Sequence, residues 1–132
     1  MIYHIVTESD LRAHVSGDVY TPASLKDYGF VHCAFQASVI AVSNDYFGEA
    51  AESVLLLEID PERLTSEVRY EAPAPIAGGG TAHLVDAALF PHVYGPINTR
   101  AIVRVGVLDV TPDGYHWPAE FEAWDALIAS RP

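Results

Sequence analysis

The sequence predicts a single α+β domain with a largely antiparallel, twisted sheet and peripheral helices. Strand-like and helix-like segments are mixed along the chain, without the regular alternation that builds a parallel sheet. Several neighbouring strands are joined by segments too short for a parallel crossover. The chain has 132 residues, 50% of them hydrophobic, which suits one domain with a substantial core over residues 1–132.

The first half of the chain carries three strand patterns and three helix patterns. The apolar run at residues 54–59 is typical of a buried central strand, and strands are also predicted at 3–6 and 30–34. Helices are predicted to begin at Thr7, at Thr21 and at Gln36, and glycines are expected to end them at residues 17, 29 and 48.

The second half continues with strands and a loop. Prolines and glycines alternate through residues 72–80, which predicts a surface loop near the pocket. An amphipathic pattern predicts a helix over residues 118–128, with Phe121 and Trp124 on its apolar stripe. The other predicted elements are a turn of helix at 61–64, a half-buried strand at 67–71, an extended piece at 93–97 and a long strand at 100–110.

The charge of the chain disfavours two classes of partner. Eighteen acidic residues face seven Lys and Arg, for a net charge of -11. Such a surface repels phosphate backbones and anionic lipid, and the sequence holds no basic cluster. We therefore expect no nucleic-acid partner and no membrane partner, and we expect the ligand to be a small molecule.

The cysteine count and the apolar runs favour a cytoplasmic protein. A single cysteine, Cys33, allows no intramolecular disulfide. No basic region precedes the first apolar stretch, and no apolar run is long enough to span a bilayer. Nothing in the sequence sets the oligomeric state.

The segment at residues 29–34 presents His32 on a short strand after a glycine turn. Alternation places Phe30 and His32 on one face and Val31 and Cys33 on the other. A histidine at such a position either is buried and hydrogen-bonded or lines a cleft.

The segment at residues 90–97 combines two prolines, a glycine, a histidine and a tyrosine. The prolines make it rigid, and His92 and Tyr94 point the same way in an extended chain. This predicts a binding wall formed by an imidazole and a phenol. In the alternative, Tyr94 is a core aromatic whose hydroxyl bonds to the backbone.

Arg69 and Glu71 share a face at the end of a predicted strand. A guanidinium suits a phosphate or carboxylate, and Glu71 suits a ribose hydroxyl or the role of a base. In the alternative, the two side chains form a solvated salt bridge of little energetic value.

Two other chemistries fit the sequence less well. His32, Cys33, His92 and Asp86 lack the spacing of a zinc site, so no metal is predicted. A Cys33 nucleophile would need His92 as its base, because Cys33 and His32 point to opposite faces of the strand.

Four segments in order carry a family resemblance, namely residues 29–33 (GFVHC), 54–60 (VLLLEID), 68–71 (VRYE) and 90–97 (FPHVYGPI). Together they resemble a small bacterial family, domain-of-unknown-function family 952, over residues 3–108. The last segment is the most specific. The fold of that family is similar to that of the mono-ADP-ribosyltransferases, which implies a split, twisted antiparallel sheet that grips NAD between its halves.

The resemblance implies roles for the candidate residues. It makes His32 the counterpart of the ribose-binding histidine. On that basis we expect Arg69 to meet the pyrophosphate and Tyr94 to stack on nicotinamide or another flat ring. His92 binds polar edges or carries a proton, and Glu71 is the candidate carboxylate of a catalytic set with His32 and His92. The expected ligand is NAD or another ADP-ribose compound, and the expected reaction is transfer of ADP-ribose.

Two alternatives follow from the same residues. The domain binds a metabolite or a protein without catalysis, as favoured by the acidic surface and by Ala34, where the family commonly has serine. Otherwise His32 and His92 only join the strands of the sheet by hydrogen bonds.

Overall fold

The computed structural model describes residues 1–48, 50–72 and 89–125 of the chain. Three helices lie wholly within these residues: α1 (Glu8–His14), α2 (Ala23–Tyr28) and α3 (Gln36–Phe47). Trp124 and Asp125, the last described residues, are also helical. Short 3-10 turns cover Pro61–Arg63 and Thr99–Ala101. The strands of this part are β1 (Ile2–Thr7), β2 (Val15–Ser16), β3 (Val19–Tyr20), β4 (Val31–His32), β5 (Val54–Ile59), β6 (Glu67–Glu71), β7 (Phe90–Tyr94), β8 (Ile97–Asn98), β9 (Ile102–Val107), β10 (Asp109–Thr111), β11 (Gly114–His116) and β12 (Phe121–Ala123). No helix among the residues described is both long and apolar enough to cross a bilayer.

The largest sheet has the order β1-β5-β9-β12 and is antiparallel throughout. All six residues of β5 are buried, as the apolar run predicts. Successive side chains of a strand point to opposite faces, so β5 serves two cores. Leu55 and Leu57 pack into one hydrophobic cluster, and Val54 and Leu56 pack into the other.

Smaller sheets complete the architecture. The three-stranded sheets have the orders β4-β7-β6 and β2-β3-β8, and β10 pairs with β11 as a hairpin. Every strand pair in the described residues is antiparallel. The predicted α+β class with a largely antiparallel sheet is therefore confirmed.

The helix predicted at residues 118–128 is wrong over residues 118–123, and helix is present only at Trp124 and Asp125 in the described part of the chain. Residues 121–123 form β12, which pairs with Arg104 to Gly106 of β9, and Trp124 is buried behind it. The open edge of β9 offers ladder hydrogen bonds that the helical pattern of this short segment does not outweigh. The end of the predicted helix falls outside the described residues, as do residues 73–80 of the predicted loop.

Other boundaries differ from the predicted ones. The helix after Thr7 ends at His14, and Gly17 occupies the turn between β2 and β3 with φ 58°. The predicted strand at 30–34 is confined to Val31–His32, with Ala34 bridged to Tyr3. The predicted strand at 100–110 is divided into a 3-10 turn and two strands that belong to different sheets.

Gly106 marks the place where the segment containing β12 packs on β9. A Cβ at this position would lie 2.7 Å from Cβ of Pro118 and 3.1 Å from the carbonyl oxygen of Glu120. Neither a proline ring nor a backbone carbonyl can rotate away. Gly106→Ala is therefore expected to lower the free energy of unfolding by about 1–2 kcal/mol in urea denaturation. Val110→Ala, at an exposed strand position, is the control, and equal effects of the two would contradict this docking.

Candidate functional site

Three strands bring the predicted site residues side by side. In the sheet β4-β7-β6, His32 pairs with His92, and His92 pairs with Arg69 on its other side. Residues directly opposite in antiparallel strands share a face, so these three side chains form a row across the sheet. Glu71 and Tyr94 lie on the same face, two residues along their strands from Arg69 and His92.

The buried imidazole of His92 is oriented by Glu71. Its Nδ1 lies 2.9 Å from Oε1 of Glu71, and the hydroxyl of Tyr94 donates to the same oxygen at 2.5 Å. A carboxylate only accepts, so Nδ1 carries the proton and Nε2 of the neutral ring carries a lone pair. The hydrogen bonds from Tyr94 and then from His92 lower the pKa of Glu71. The arrangement gives His92 the tautomer of a general base.

Phe30 is the centre of an aromatic cluster on this face. Its ring stacks on His92 with centroids 4.2 Å apart, and it lies 4.8 Å from His32 and 5.4 Å from Tyr94. Tyr28 meets the edge of His32 at 5.0 Å. The predicted alternation of Phe30 and His32 on one face is confirmed, and this packing fixes both imidazoles.

His32 is half-buried and neutral at physiological pH. Burial, and then the neighbouring His92 and His4 rings, lower its pKa to about 4. Its Nε2 is buried and has no hydrogen-bond partner among the residues that the structure describes. An unpaired buried nitrogen costs free energy, so a ligand that bonds to it is favoured.

A cavity of about 190 Å³ lies beside the two imidazoles. His32 and His92 line it, together with apolar side chains such as Ile5, Val42 and Phe90. Arg69, Glu71 and Tyr94 do not line it. Of the predicted residues, the two histidines therefore line the cavity. Arg69 and Glu71 lie on β6, beyond His92 in the sheet, and Tyr94 lies on β7 itself.

His4 and Tyr20 form a second polar pair at the same cavity. The ring of His4 lies between the carbonyl oxygen of His32 and the hydroxyl of Tyr20, with a distance of 2.8 Å on each side. Both residues are buried and both line the cavity. The sequence analysis missed this pair, because the partners are 16 residues apart and no motif links them.

Arg69 lies at the outer edge of the site. Its guanidinium carbon is 4.2 Å from the ring centroid of Tyr94, and it pairs with Glu67 at 2.8 Å. The alternative of a salt bridge between Arg69 and Glu71 is therefore wrong in its partner, because Arg69 pairs with Glu67 while Glu71 bonds to His92. Half of the Arg69 side chain is exposed, so this ion pair is weak and open to exchange.

Three further interpretations concern the hydroxyl of Tyr94, a Cys33 nucleophile and a metal site. The hydroxyl of Tyr94 bonds to Glu71 rather than to the backbone. Cys33 packs in the core beside Val31, and burial raises its pKa, which disfavours a thiolate nucleophile. In the described part of the chain, no three His, Cys, Asp or Glu side chains are grouped as a metal site. Asp86 falls outside that part.

Comparison with known proteins gives a fold and a family. The crystal structure of protein CC0527 from Caulobacter crescentus matches with a TM-score of 0.64 and 25% identity, over 96% of this chain and 97% of that chain. A double mutant of CC0527 gives 0.65 and 24% over the same shares. Its solution structure gives 0.57 and 24% over 86% and 89%. No curated protein matches the sequence. The model of the family described as protein of unknown function (DUF952) matches residues 5–105, in agreement with the resemblance, and the chain belongs to this family.

Proposed function

We propose that the chain binds an ADP-ribose-containing nucleotide such as NAD, with one ring of the ligand in the cavity beside His32 and His92. The observation that carries the proposal is the neutral His32 imidazole, whose buried Nε2 has no partner in the described residues. A neutral imidazole exchanges hydrogen bonds with hydroxyl groups, as a ribose requires. This extends the resemblance to the ADP-ribosyltransferase fold.

The size and lining of the cavity suit one flat ring. An apolar cavity of about 150 Å³ accommodates a benzene ring, and this one measures about 190 Å³. A whole dinucleotide needs more space, so its phosphates would lie outside, on the Arg69 side. There a pyrophosphate would have to displace Glu67 from Arg69, which exchanges one surface ion pair for another.

The chemistry available at the site is proton transfer by His92. In transfer of ADP-ribose, the bond between nicotinamide and ribose breaks, a bond from ribose to an acceptor oxygen forms, and the acceptor loses a proton. His92 Nε2 would take this proton, because Nδ1 is held by Glu71. Glu71 would stabilise the charged ring that results, and would act as a positioning residue.

A second candidate, binding without transfer, rests on the position of Glu71. Its carboxylate is held by His92 and Tyr94 and does not line the cavity, so it has no direct path to a reacting ribose. The net charge of -11 also lowers the affinity for the dianionic pyrophosphate of such a nucleotide. Incubation with NAD distinguishes the two candidates, since only transfer or hydrolysis releases nicotinamide.

His32→Ala is expected to weaken binding of ADP-ribose and NAD at least tenfold, because it removes the imidazole beside the ribose. The measurement is a titration followed by the backbone amides of residues 30–34 and 93–97. His116→Ala is the control, since this histidine is exposed on β11 and does not line the cavity. Absence of shifts at millimolar ligand would retire the nucleotide. Unfolding of His32→Ala would give the histidine a structural role.

A further inference from the structure

The His4–Tyr20 pair fixes the direction of a hydrogen-bond chain at the cavity. His4 Nδ1 lies 2.8 Å from the carbonyl oxygen of His32, and a carbonyl oxygen only accepts. Nδ1 therefore carries the proton. The opposite tautomer would place two lone pairs in contact.

The other ring nitrogen of His4 is consequently an acceptor. Burial lowers the pKa of His4, so the doubly protonated ring is disfavoured. Nε2 then holds a lone pair, and the hydroxyl of Tyr20, 2.8 Å away, donates its only proton to it. The chain runs from Tyr20 through His4 to the backbone of β4.

This direction decides what Tyr20 offers to a ligand. Tyr20 is 1% exposed and lines the cavity, and its proton is engaged by His4. The hydroxyl oxygen has only lone pairs left. The carboxylate of Asp10 also lines the cavity, but its side chain is 59% exposed and lies 3.6 Å from His14, so solvent screens it. The hydroxyl of Ser24 can donate or accept and therefore does not discriminate between ligands. The Tyr20 oxygen is thus the group that favours a hydrogen-bond donor over an anion.

We infer that the cavity selects a flat ring bearing an N–H donor, such as an amide, amine or amidinium, and rejects the matching carboxylate. Tyr20 is the specificity-determining residue, and His4 is the positioning residue that orients its hydroxyl. The inference rests on the proposed function only in that a ligand enters this cavity. In that nucleotide, the carboxamide of nicotinamide and the amino group of adenine both meet the requirement.

The test uses three probes of one shape: benzamidine, benzamide and benzoate. Their binding is measured by NMR titration, following the amides of Tyr20 and Ser24. In the natural sequence, benzamidine and benzamide are expected to bind at least tenfold more tightly than benzoate. Tyr20→Phe is expected to reduce this ratio to threefold or less, because the acceptor oxygen is gone. The matched control Tyr115→Phe also removes the hydroxyl of a buried tyrosine. Tyr115 does not line the cavity and its hydroxyl donates to the carbonyl oxygen of Phe47, so this variant is expected to keep the ratio.

Three outcomes would overturn the inference. These are equal affinity for benzamide and benzoate, an unchanged ratio in Tyr20→Phe, and no binding of any probe at millimolar concentration. The nitrogen-15 spectrum of the His4 ring provides a test that needs no variant. A protonated Nδ1 and a bare Nε2 are expected, and the reverse pattern would mean that Tyr20 presents its proton to the ligand.

The probes carry neither ribose nor phosphate, so the two proposals fail separately. If benzamide binds selectively but ADP-ribose and NAD do not bind, the proposed nucleotide ligand is wrong, while the inferred selection for an N–H donor stands. If NAD binds but the three probes bind equally well, the nucleotide proposal stands and the inferred selection for an N–H donor is wrong.

Discussion

Arg104→Met is expected to lower the free energy of unfolding by about 3 kcal/mol, because it leaves the buried carboxylate of Glu58 without its counter-charge. Glu58 lies on the central strand β5 and is 6% exposed. It accepts two hydrogen bonds from Arg104, at 3.0 and 3.1 Å, and one from the hydroxyl of Tyr3 at 3.0 Å. Methionine keeps an unbranched apolar stem of similar length, while it removes both the charge and the guanidinium that lies 4.0 Å from the ring centroid of Phe121. Chemical denaturation at neutral pH measures the effect.

Two further variants make this test specific. Arg100→Met removes an exposed arginine outside the ion pair and is expected to change stability by less than about 0.5 kcal/mol. Adding Glu58→Leu to Arg104→Met removes the stranded charge and is expected to recover about half of the loss, since the Tyr3 hydroxyl then lacks its acceptor. If Arg104→Met and Arg100→Met change the free energy of unfolding equally, the Glu58 carboxylate does not depend on Arg104 for its counter-charge.

Glu71→Gln is expected to lower the rate of nicotinamide release from NAD about 100-fold while changing the affinity for ADP-ribose less than threefold. The glutamine oxygen can still accept from Nδ1 of His92, so the tautomer is kept. The negative charge that stabilises a protonated His92 is lost, and a general base typically contributes about 100-fold or more. The measurements are a nicotinamide release assay and an ADP-ribose titration on the same sample.

Glu67→Gln is the matched control, because Glu67 lies on the same strand and pairs with Arg69 instead of His92. It is expected to leave the rate at saturating NAD within threefold, because freeing Arg69 changes the affinity for the pyrophosphate and not the proton transfer by His92. A large loss of ADP-ribose affinity in Glu71→Gln would mean that the carboxylate contacts the ligand directly. Equal rate losses in the two variants would show that Glu71 acts only through its long-range negative charge and not through its hydrogen bond to His92.

The fold was predictable wherever one segment determines its own structure. The apolar run at residues 54–59 buries all its side chains only in a strand that is covered on both faces, and β5 is such a strand. Residues 121–123 were not predictable in this way. Their pattern fits an amphipathic helix, and the unpaired edge of β9 decides in favour of a strand. Such an edge is visible only once distant strands are assembled.

In the site too, contacts set by local sequence spacing were predictable, and contacts set by the pairing of distant strands were not. His92 and Tyr94 were expected to point the same way because they are two residues apart, and both bond to Glu71. Alternation also placed Phe30 with His32. The contact between Glu71 and His92 depends on the register of β6 against β7, and the pair His4–Tyr20 depends on the meeting of β1 and β3. No local pattern encodes either one.

The order β1-β5-β9-β12 also has a consequence for the rate of folding. Ile2 pairs with Ile59, and Leu55 pairs with Val107, so the pairings of β5 with β1 and with β9 each close a long loop. Closing such loops costs chain entropy before any pairing energy is gained, and domains rich in non-local strand pairs fold in about milliseconds to seconds. The outer strand β12 belongs to the last described segment of the chain. During synthesis, β9 therefore has an open edge until residues 121–123 emerge, and an open edge of this kind can pair wrongly with other strands.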